Sequence, residues 1–221
     1  MIAVAIDGPA GAGKSTIAKT IAKKLAYIYV DTGALYRAVA LNTLHNGTDP
    51  SDEEKIANML KKTCIELKFI DGVQRVFLNG EDVSDNIRTS EVSMTASKVS
   101  ALPIVRSFLL DLQRDIAKKN NILMDGRDIG TVVLPNAQVK IFLTASAECR
   151  AKRRYNDYLV AGNTTESYEE ILKDIQQRDY QDSHRTTAPL RQADDAVLVD
   201  TSDDTLEQSV EKIIAIISKK L

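Results

Sequence analysis

The sequence predicts an α/β fold built on a parallel sheet, and three observations lead there. Five short apolar runs of strand length are separated by stretches with helical periodicity. The first run passes directly into a glycine-rich joint and then into a helix. Residues 65–83 depart from this style and read as an antiparallel meander set into the parallel frame. The length agrees: 221 residues make one domain with insertions, or two small ones, and can bury a sizeable core.

The first strand carries Ile2, Val4 and Ile6, and "IDGPAGAGKSTIAK" follows at residues 6–19. From Ser15 the pattern turns helical, with Ile17, Ala18, Ile21, Ala22 and Leu25 on one stripe. A joint so poor in side chains contributes mainly backbone. Its glycines let a ligand approach closely, and successive N–H groups point into one concavity at the positive end of a helix dipole. Such a concavity suits phosphate. Gly8-x-x-x-x-Gly13-Lys14-Ser15 fits the P-loop pattern in full, with Pro9, Ala10, Gly11 and Ala12 between the glycines and Thr16 after the serine. In that reading Lys14 reaches the β- and γ-phosphates and the Ser15 hydroxyl ligates Mg²⁺. The plainer alternative is a structural glycine turn before a helix.

The other strands are expected at 27–30, 121–124, 139–143 and 196–199. In the 65–83 stretch Ile65, Leu67 and Phe69 alternate with Glu66 and Lys68, and Asp71-Gly72 and Asn79-Gly80 are hairpin turn signals. An inserted lobe is the simplest account; a decorated edge of the main sheet is the other. Two helices should follow at 91–101 and 103–118, with Pro103 opening the second. Residues 147–180 read as helix, break, helix, interrupted at Gly162-Asn163. In the last helix Leu206, Val210, Ile213, Ile214 and Ile217 form the inner stripe, with Thr201 or Ser202 as cap.

Composition narrows the classes. Hydrophobic residues make up 43% and charged residues 27%, ordinary values for a soluble globular chain. A net charge of −2 gives no general attraction to nucleic acid. No run is long enough to span a membrane, and the N-terminus lacks a signal-peptide layout. Cys64 and Cys149 show no metal spacing and read as reduced thiols of a cytoplasmic protein.

A P-loop alone does not separate a switch, a motor and a kinase. No guanine-specifying Asn-Lys-x-Asp occurs, and motors are usually longer with further signatures, which leaves a small phosphotransferase. "NILMDGRDIG" (121–130) places Asp125 directly after an apolar strand, where a carboxylate can organise Mg²⁺ or its waters. Arg127 and Asp128 follow in the crevice where open α/β sheets bind ligands. "DTGALYR" (31–37) brings Tyr36 and Arg37 after the second strand. Each arginine also reads as a surface ion pair. In "RDYQDSHR" (178–185) Arg178, Asp182 and Arg185 share one helix face, a spacing that equally fits a solvated i,i+4 ion pair. "RAKRR" (150–154) is the densest cation cluster. Arginines of this kind suit a transferring phosphoryl group, and the acidic balance argues against a nucleic-acid patch.

"IDGPAGAGKST", "DTGALYRA", "RTSEVSMTASKVSALPIVR", "MDGRDIGTVVLPNAQVKIFLTAS" and "RDYQDSHRTTAPL" together resemble bacterial cytidylate kinases, in order and over nearly the whole chain. The meander at 65–83 is the weakest match. The resemblance implies a nucleoside monophosphate kinase that uses ATP and Mg²⁺ to phosphorylate CMP or dCMP. It implies a P-loop core with a five-stranded parallel sheet over residues 1–60 and 103–221. An inserted monophosphate-binding lobe over 61–102 and a helical lid over 150–166 would complete the fold. By the same resemblance Arg37, Arg127 and Arg185 would clamp the acceptor phosphate, while Ser97, Arg106 and Asp128 would read cytosine. Arg178 and Asp182 would hold the ribose, Tyr36 would line the acceptor pocket, and Arg150, Arg153 and Arg154 would fall at the lid. Some relatives carry glycine where Ser15 stands, so the hydroxyl is not a family requirement. The expected partners are small molecules, with no nucleic acid and no membrane, and the chain is expected to act as a monomer.

Overall fold

The computed structural model describes residues 1–160, 162 and 166–221. In chain order it begins with β1 (Ala3–Asp7), α1 (Lys14–Leu25), β2 (Ile28–Asp31), α2 (Thr32–His45) and α3 (Glu53–Leu60). Next come β3 (Ile65–Ile70), β4 (Val73–Leu78), β5 (Glu81–Asp82), α4 (Ser90–Val99) and α5 (Pro103–Lys119). The remainder is β6 (Ile122–Gly126), a π-helical turn (Ile129–Val133), β7 (Val139–Thr144), α6 (Ala147–Val160), α7 (Tyr168–His184), β8 (Val197–Asp200) and α8 (Leu206–Lys220). Five strands form one sheet in the order β2-β6-β1-β7-β8, and β3, β4 and β5 form a separate sheet. The fold is therefore α/β with a parallel core sheet and an antiparallel insert.

Contacts divide the chain into two compact units. The first holds Met1 and residues 28–122. Its core joins Leu35 and Val39 of α2, Ile56 of α3, Val76 of β4, Val99 of α4 and Leu109 of α5, all buried. The meander follows its turn chemistry. Asp71 and Gly72 at one tip, and Asn79 and Gly80 at the other, all take positive φ, as tight two-residue hairpins require. β3 alternates as expected, with Ile65 buried and Glu66 and Lys68 exposed.

The second unit holds residues 2–27 and 123–221. β7 runs parallel to both β1 and β8, with Ile6 opposite Ile141 and Ile141 opposite Val197. Val4, Ile6, Ile141 and Leu143 have almost no exposure, as a sheet covered on both faces demands. α6 packs on α7 around Ala151, Ile171 and Ile175, with Tyr155 and Tyr168 edge to face at 6.5 Å.

Two local expectations need correction. The last helix is capped by Thr205, not by Thr201 or Ser202: the Thr205 hydroxyl accepts from Gln208 N–H, and the Gln208 side chain accepts from Thr205 N–H. That reciprocal box satisfies two orphan donors at once, which no residue at 201 or 202 is spaced to do. Thr201 instead ties the end of β8 to the Thr144 carbonyl. Leu206, placed on the inner stripe, stands 42% exposed, while Val210, Ile213 and Ile217 are buried. Asn163 of the expected break, and residues 161 and 163–165 of the expected lid, lie outside the described residues.

Candidate active site

The second unit carries the phosphate-binding loop. At Gly8 a Cβ would lie 1.9 Å from the Leu143 carbonyl oxygen, so only glycine lets the loop leave β1 this close to β7. Gly13, at φ 80°, turns the chain into α1. Lys14 begins the helix, and its buried ammonium donates to the Pro9 carbonyl at 2.7 Å. Burial lowers the Lys14 pKa to about 7; nearby Arg127 pushes the same way, and Asp125, Asp7 and Asp182 pull against them. The Ser15 hydroxyl donates to Asp125 Oδ2 at 2.8 Å, so the strand-end carboxylate of β6 faces the first turn of α1.

The Gly126-Arg127-Asp128 turn is fixed from two sides. Arg127 Nε donates to Asp182 Oδ2 at 2.8 Å, across 55 residues of sequence. Burial would raise the Asp182 pKa, but Arg127, then Arg178 and Arg185, hold it below the ordinary carboxylate value. Asp128 is buried, with Arg185 Nη2 3.8 Å from its carboxylate, and Arg185 Nε donates to the Ala188 carbonyl. Arg127, Asp128, Asp182 and Arg185 are therefore gathered in one unit with Lys14 and Asp125. Asp182 hydrogen-bonds Arg127, a partner that the spacing within α7 did not suggest.

Sequence reasoning missed Asp7. This last residue of β1 is buried, and its carboxylate accepts from the N–H groups of Ile129 and Gly130, each at 2.7 Å. Burial pushes its pKa up to about 6, a rise limited by those two donors. Asp7 thus pins the turn that begins directly after Asp128. A signal existed: a carboxylate closing an otherwise apolar buried strand needs partners.

The three arginines of the 150–154 cluster differ in their engagement. Arg150 is buried; it donates to the Ala145 and Ala10 carbonyls and pairs with Asp179. Through Ala10 it braces the phosphate loop from α6. Arg153 donates to the Thr201 carbonyl. The Arg154 guanidinium lies beside Gly11, 3.9 Å from where a Cβ would stand.

The first unit carries the remaining candidates. Asp31 ends β2 and accepts from Ala34 N–H at 3.1 Å, capping α2, and from Arg37 Nη2 at 2.8 Å. The Arg106 guanidinium lies 5.4 Å from the centre of the Tyr36 ring and donates to the Ser100 carbonyl at 3.0 Å. Ser97 accepts from the Ser100 hydroxyl at its own carbonyl. Tyr36, Arg37, Ser97 and Arg106 thus share one unit, and Ser100 links Arg106 to Ser97.

Comparison with known proteins bears on this arrangement. A family model described as cytidylate kinase matches residues 4–219. A curated relative named cytidylate kinase from Lactobacillus johnsonii is 51% identical over 220 residues, covering 100% of this chain and 95% of that protein. One of the same name from Leuconostoc mesenteroides is 52% identical over 218 residues, covering 99% and 97%. Among solved structures, an uncharacterized protein from Eubacterium ventriosum shares the fold, with a TM-score of 0.55 at 12% identity and 99% coverage of both chains. The family model spans almost every residue and about half of all positions match full-length relatives, so this chain belongs to the cytidylate kinase family.

Proposed function

We propose that this chain transfers the γ-phosphoryl group of ATP to CMP or dCMP, giving ADP and CDP or dCDP. The observation that carries the reading is the second unit's gathering of a P-loop lysine, a strand-end carboxylate and the Arg127–Asp182 pair. One phosphate cradle serves a donor; a second set of arginines has a use only if another phosphate binds. Lys14 and the loop N–H groups take the donor phosphates, while Arg37, Arg127 and Arg185 take the acceptor phosphate. Asp128, Arg106 and Ser97 read the base, Arg178 and Asp182 the ribose, and Tyr36 lines the pocket. Arg154 is the lid arginine we assign to the phosphates, because Arg150 and Arg153 are turned to backbone carbonyls. Residues 61–102 act as the monophosphate-binding lobe and 150–166 as the lid.

The acceptor is already an anion, so no strong general base is required. Alignment and charge neutralisation by the chain's own cations supply the catalysis. Ser15 Oγ and Asp125 Oδ2 are hard oxygen donors at the start of α1, a set that fits Mg²⁺. An ion of this kind keeps several waters and phosphate oxygens as ligands, so two protein oxygens suffice. When bound, Mg²⁺ would neutralise phosphate charge and orient the transferring group. Closure of the lid would exclude water, the competing acceptor.

We place the reaction in the cytoplasm, where the free thiols of Cys64 and Cys149 stay reduced. No helix among the described residues is long and apolar enough to cross a membrane. One chain supplies every group named, so a monomer suffices. A coupled ADP-release assay across CMP, dCMP, UMP, AMP and GMP tests the reading. Turnover should appear with CMP and dCMP first; equal turnover with UMP, or ADP release independent of acceptor, would overturn it.

A further inference from the structure

The inserted meander reaches Arg37 through one side chain. Gln74, the second residue of β4, accepts from the Asp31 N–H at its Oε1 at 2.9 Å. Its Nε2 donates to the Asp31 carbonyl at 3.2 Å. One amide thus engages both polar groups of a single residue, as a neighbouring strand would. Two bonds fix where Asp31 stands and how its peptide planes turn. Asp31 then does two further jobs with its carboxylate: it caps α2 at Ala34 and holds Arg37 at Nη2. Asp31 makes the ion pair of Arg37, and Arg37 Nε is a buried donor with no hydrogen-bond partner among the described residues. The guanidinium is therefore steered from one edge, and that edge is Asp31. The route from β4 to Gln74 to Asp31 to Arg37 lies wholly within the first unit.

We propose that Gln74 is a positioning residue for the acceptor phosphate, making nucleoside monophosphate binding depend on the attachment of the inserted sheet to Asp31. This rests on the assignment of Arg37 to the acceptor phosphate. A side-chain amide that merely fastened a hairpin would serve equally well on any backbone group. This one grips the residue that aims an arginine.

The test uses the full chain and four variants: Gln74→Met, Arg37→Met, the double variant, and Val76→Ala. Methionine keeps the length of Gln74 and removes both hydrogen bonds. Val76 lies two residues along the same strand, buried, with its backbone bonded to Ser84 and Val83, so Val76→Ala loosens the meander and leaves both Gln74–Asp31 hydrogen bonds in place. KM for CMP, KM for ATP, kcat and Tm are measured for each. Gln74→Met should raise KM for CMP about fivefold, the scale of one or two lost hydrogen bonds, with KM for ATP unchanged. In the Arg37→Met background the same change should alter KM for CMP less than about twofold, because its route of action is gone. Val76→Ala should lower Tm at least as much and leave KM for CMP unmoved. Additive effects in the double variant, or an equal rise of KM in Val76→Ala, overturn the inference. An unmoved KM in Arg37→Met overturns the acceptor assignment and this inference together. A raised KM there with an unmoved KM in Gln74→Met overturns this inference alone.

Discussion

The phosphate-binding loop and the arginine–carboxylate pairs supply positive charge in opposite ways. Lys14 rests on a backbone carbonyl, and burial lowers its pKa to about 7. Arg127 and Arg37 each lie 2.8 Å from a carboxylate oxygen. An arginine stays charged whatever surrounds it, whereas burial can bring a lysine's loss of its proton down to neutral pH. The loop therefore holds a conditional charge and the pairs hold permanent ones already oriented. Substitutions at the loop should act on the donor and on kcat. Substitutions at the pairs should act on the acceptor and its KM.

The largest effect should come from the loop. Lys14→Ala should lower kcat at least about a hundredfold, the scale of removing one preorganised group that meets developing charge. Steady-state assays with saturating CMP measure it, and an enzyme of near-normal kcat would erase the contrast by showing that the loop charge is dispensable.

Next comes the long-range pair. Asp182→Ala leaves Arg127 without its carboxylate and removes the negative charge that Arg178 and Arg185 also face. Truncating one member of such a pair costs about 2 kcal/mol or more, so KM for CMP should rise some thirtyfold and Tm should fall. Asp31→Ala should cost less: Arg37 and Arg127 are equally exposed, at 22%, but Asp182 answers Arg127, Arg178 and Arg185 together, whereas Asp31 forms its ion pair with Arg37. KM for ATP should hardly move in either. If Asp31→Ala proves the more damaging, the number of cations sharing the carboxylate is not what separates the two pairs.

These contrasts also explain what the sequence could reveal. The loop was legible because its glycines, lysine and serine are consecutive, and the strand–turn–helix context surrounds them. The meander was legible for the same reason, since Asp71-Gly72 and Asn79-Gly80 encode their own turns. The Arg127–Asp182 pair is not, although each of its two residues stands in a motif of its own. Spacing arguments see neighbours on one helix and so set Asp182 beside Arg178, while its hydrogen bond to Arg127 spans 55 residues to another element. Asp7 was missed because its partners are backbone N–H groups over a hundred residues away, which no side-chain pattern advertises. The cap of α8 was misplaced by local reasoning alone: the Thr205-x-x-Gln208 box was visible and outranks a lone Thr or Ser upstream.

Base choice gives the third effect. Asp128 is an acceptor-only carboxylate suited to the cytosine amino group; Asp128→Asn supplies a donor able to meet uracil O4. The CMP-over-UMP ratio of kcat/KM should narrow about tenfold, or ~1.4 kcal/mol. Because Arg185 lies 3.8 Å from Asp128, the change could weaken the clamp for both nucleotides. Only the ratio is diagnostic: an unchanged ratio removes Asp128 from the base site.

The fourth effect is pH dependence, and it separates the two kinds of charge directly. Lys14 has its pKa lowered in the free protein, so it loses its proton as pH rises through about 7. Donor phosphates favour the charged form, so binding must take up a proton above that pH. Lys14 is about half charged at pH 7 and about a tenth at pH 8, so affinity for ATP should fall about fivefold between them. Isothermal titration in two buffers of different ionisation heat should show proton uptake at pH 8. Lys14→Arg should abolish that uptake, since arginine stays protonated. Uptake that persists in Lys14→Arg would assign the proton elsewhere and leave the loop charge as permanent as the arginines.

The smallest effect tests whether the local pair is oriented or merely present. Gly33 lies in the first turn of α2 at an ordinary φ, so alanine fits its backbone and favours the helix by up to about 1 kcal/mol. Its Cβ, however, would stand 3.0 Å from both Arg37 Nη1 and Asp31 Oδ1, closer than comfortable contact. Arg37 Nη1 ends a flexible side chain and can swing aside at little cost to folding, whereas Asp31 Oδ1 is held as the cap of α2 by Ala34 N–H. The guanidinium would then be displaced by a few tenths of an ångström. Gly33→Ala should leave Tm unchanged or raised, leave KM for ATP alone, and raise KM for CMP about threefold, the scale of one weakened charge-assisted hydrogen bond. Stability and acceptor affinity would move in opposite directions, which loss of structure cannot produce. If KM for CMP stays level while Tm rises, the acceptor side tolerates slack that the loop side does not. The Asp31–Arg37 pair would then be a helix cap that happens to contain an arginine.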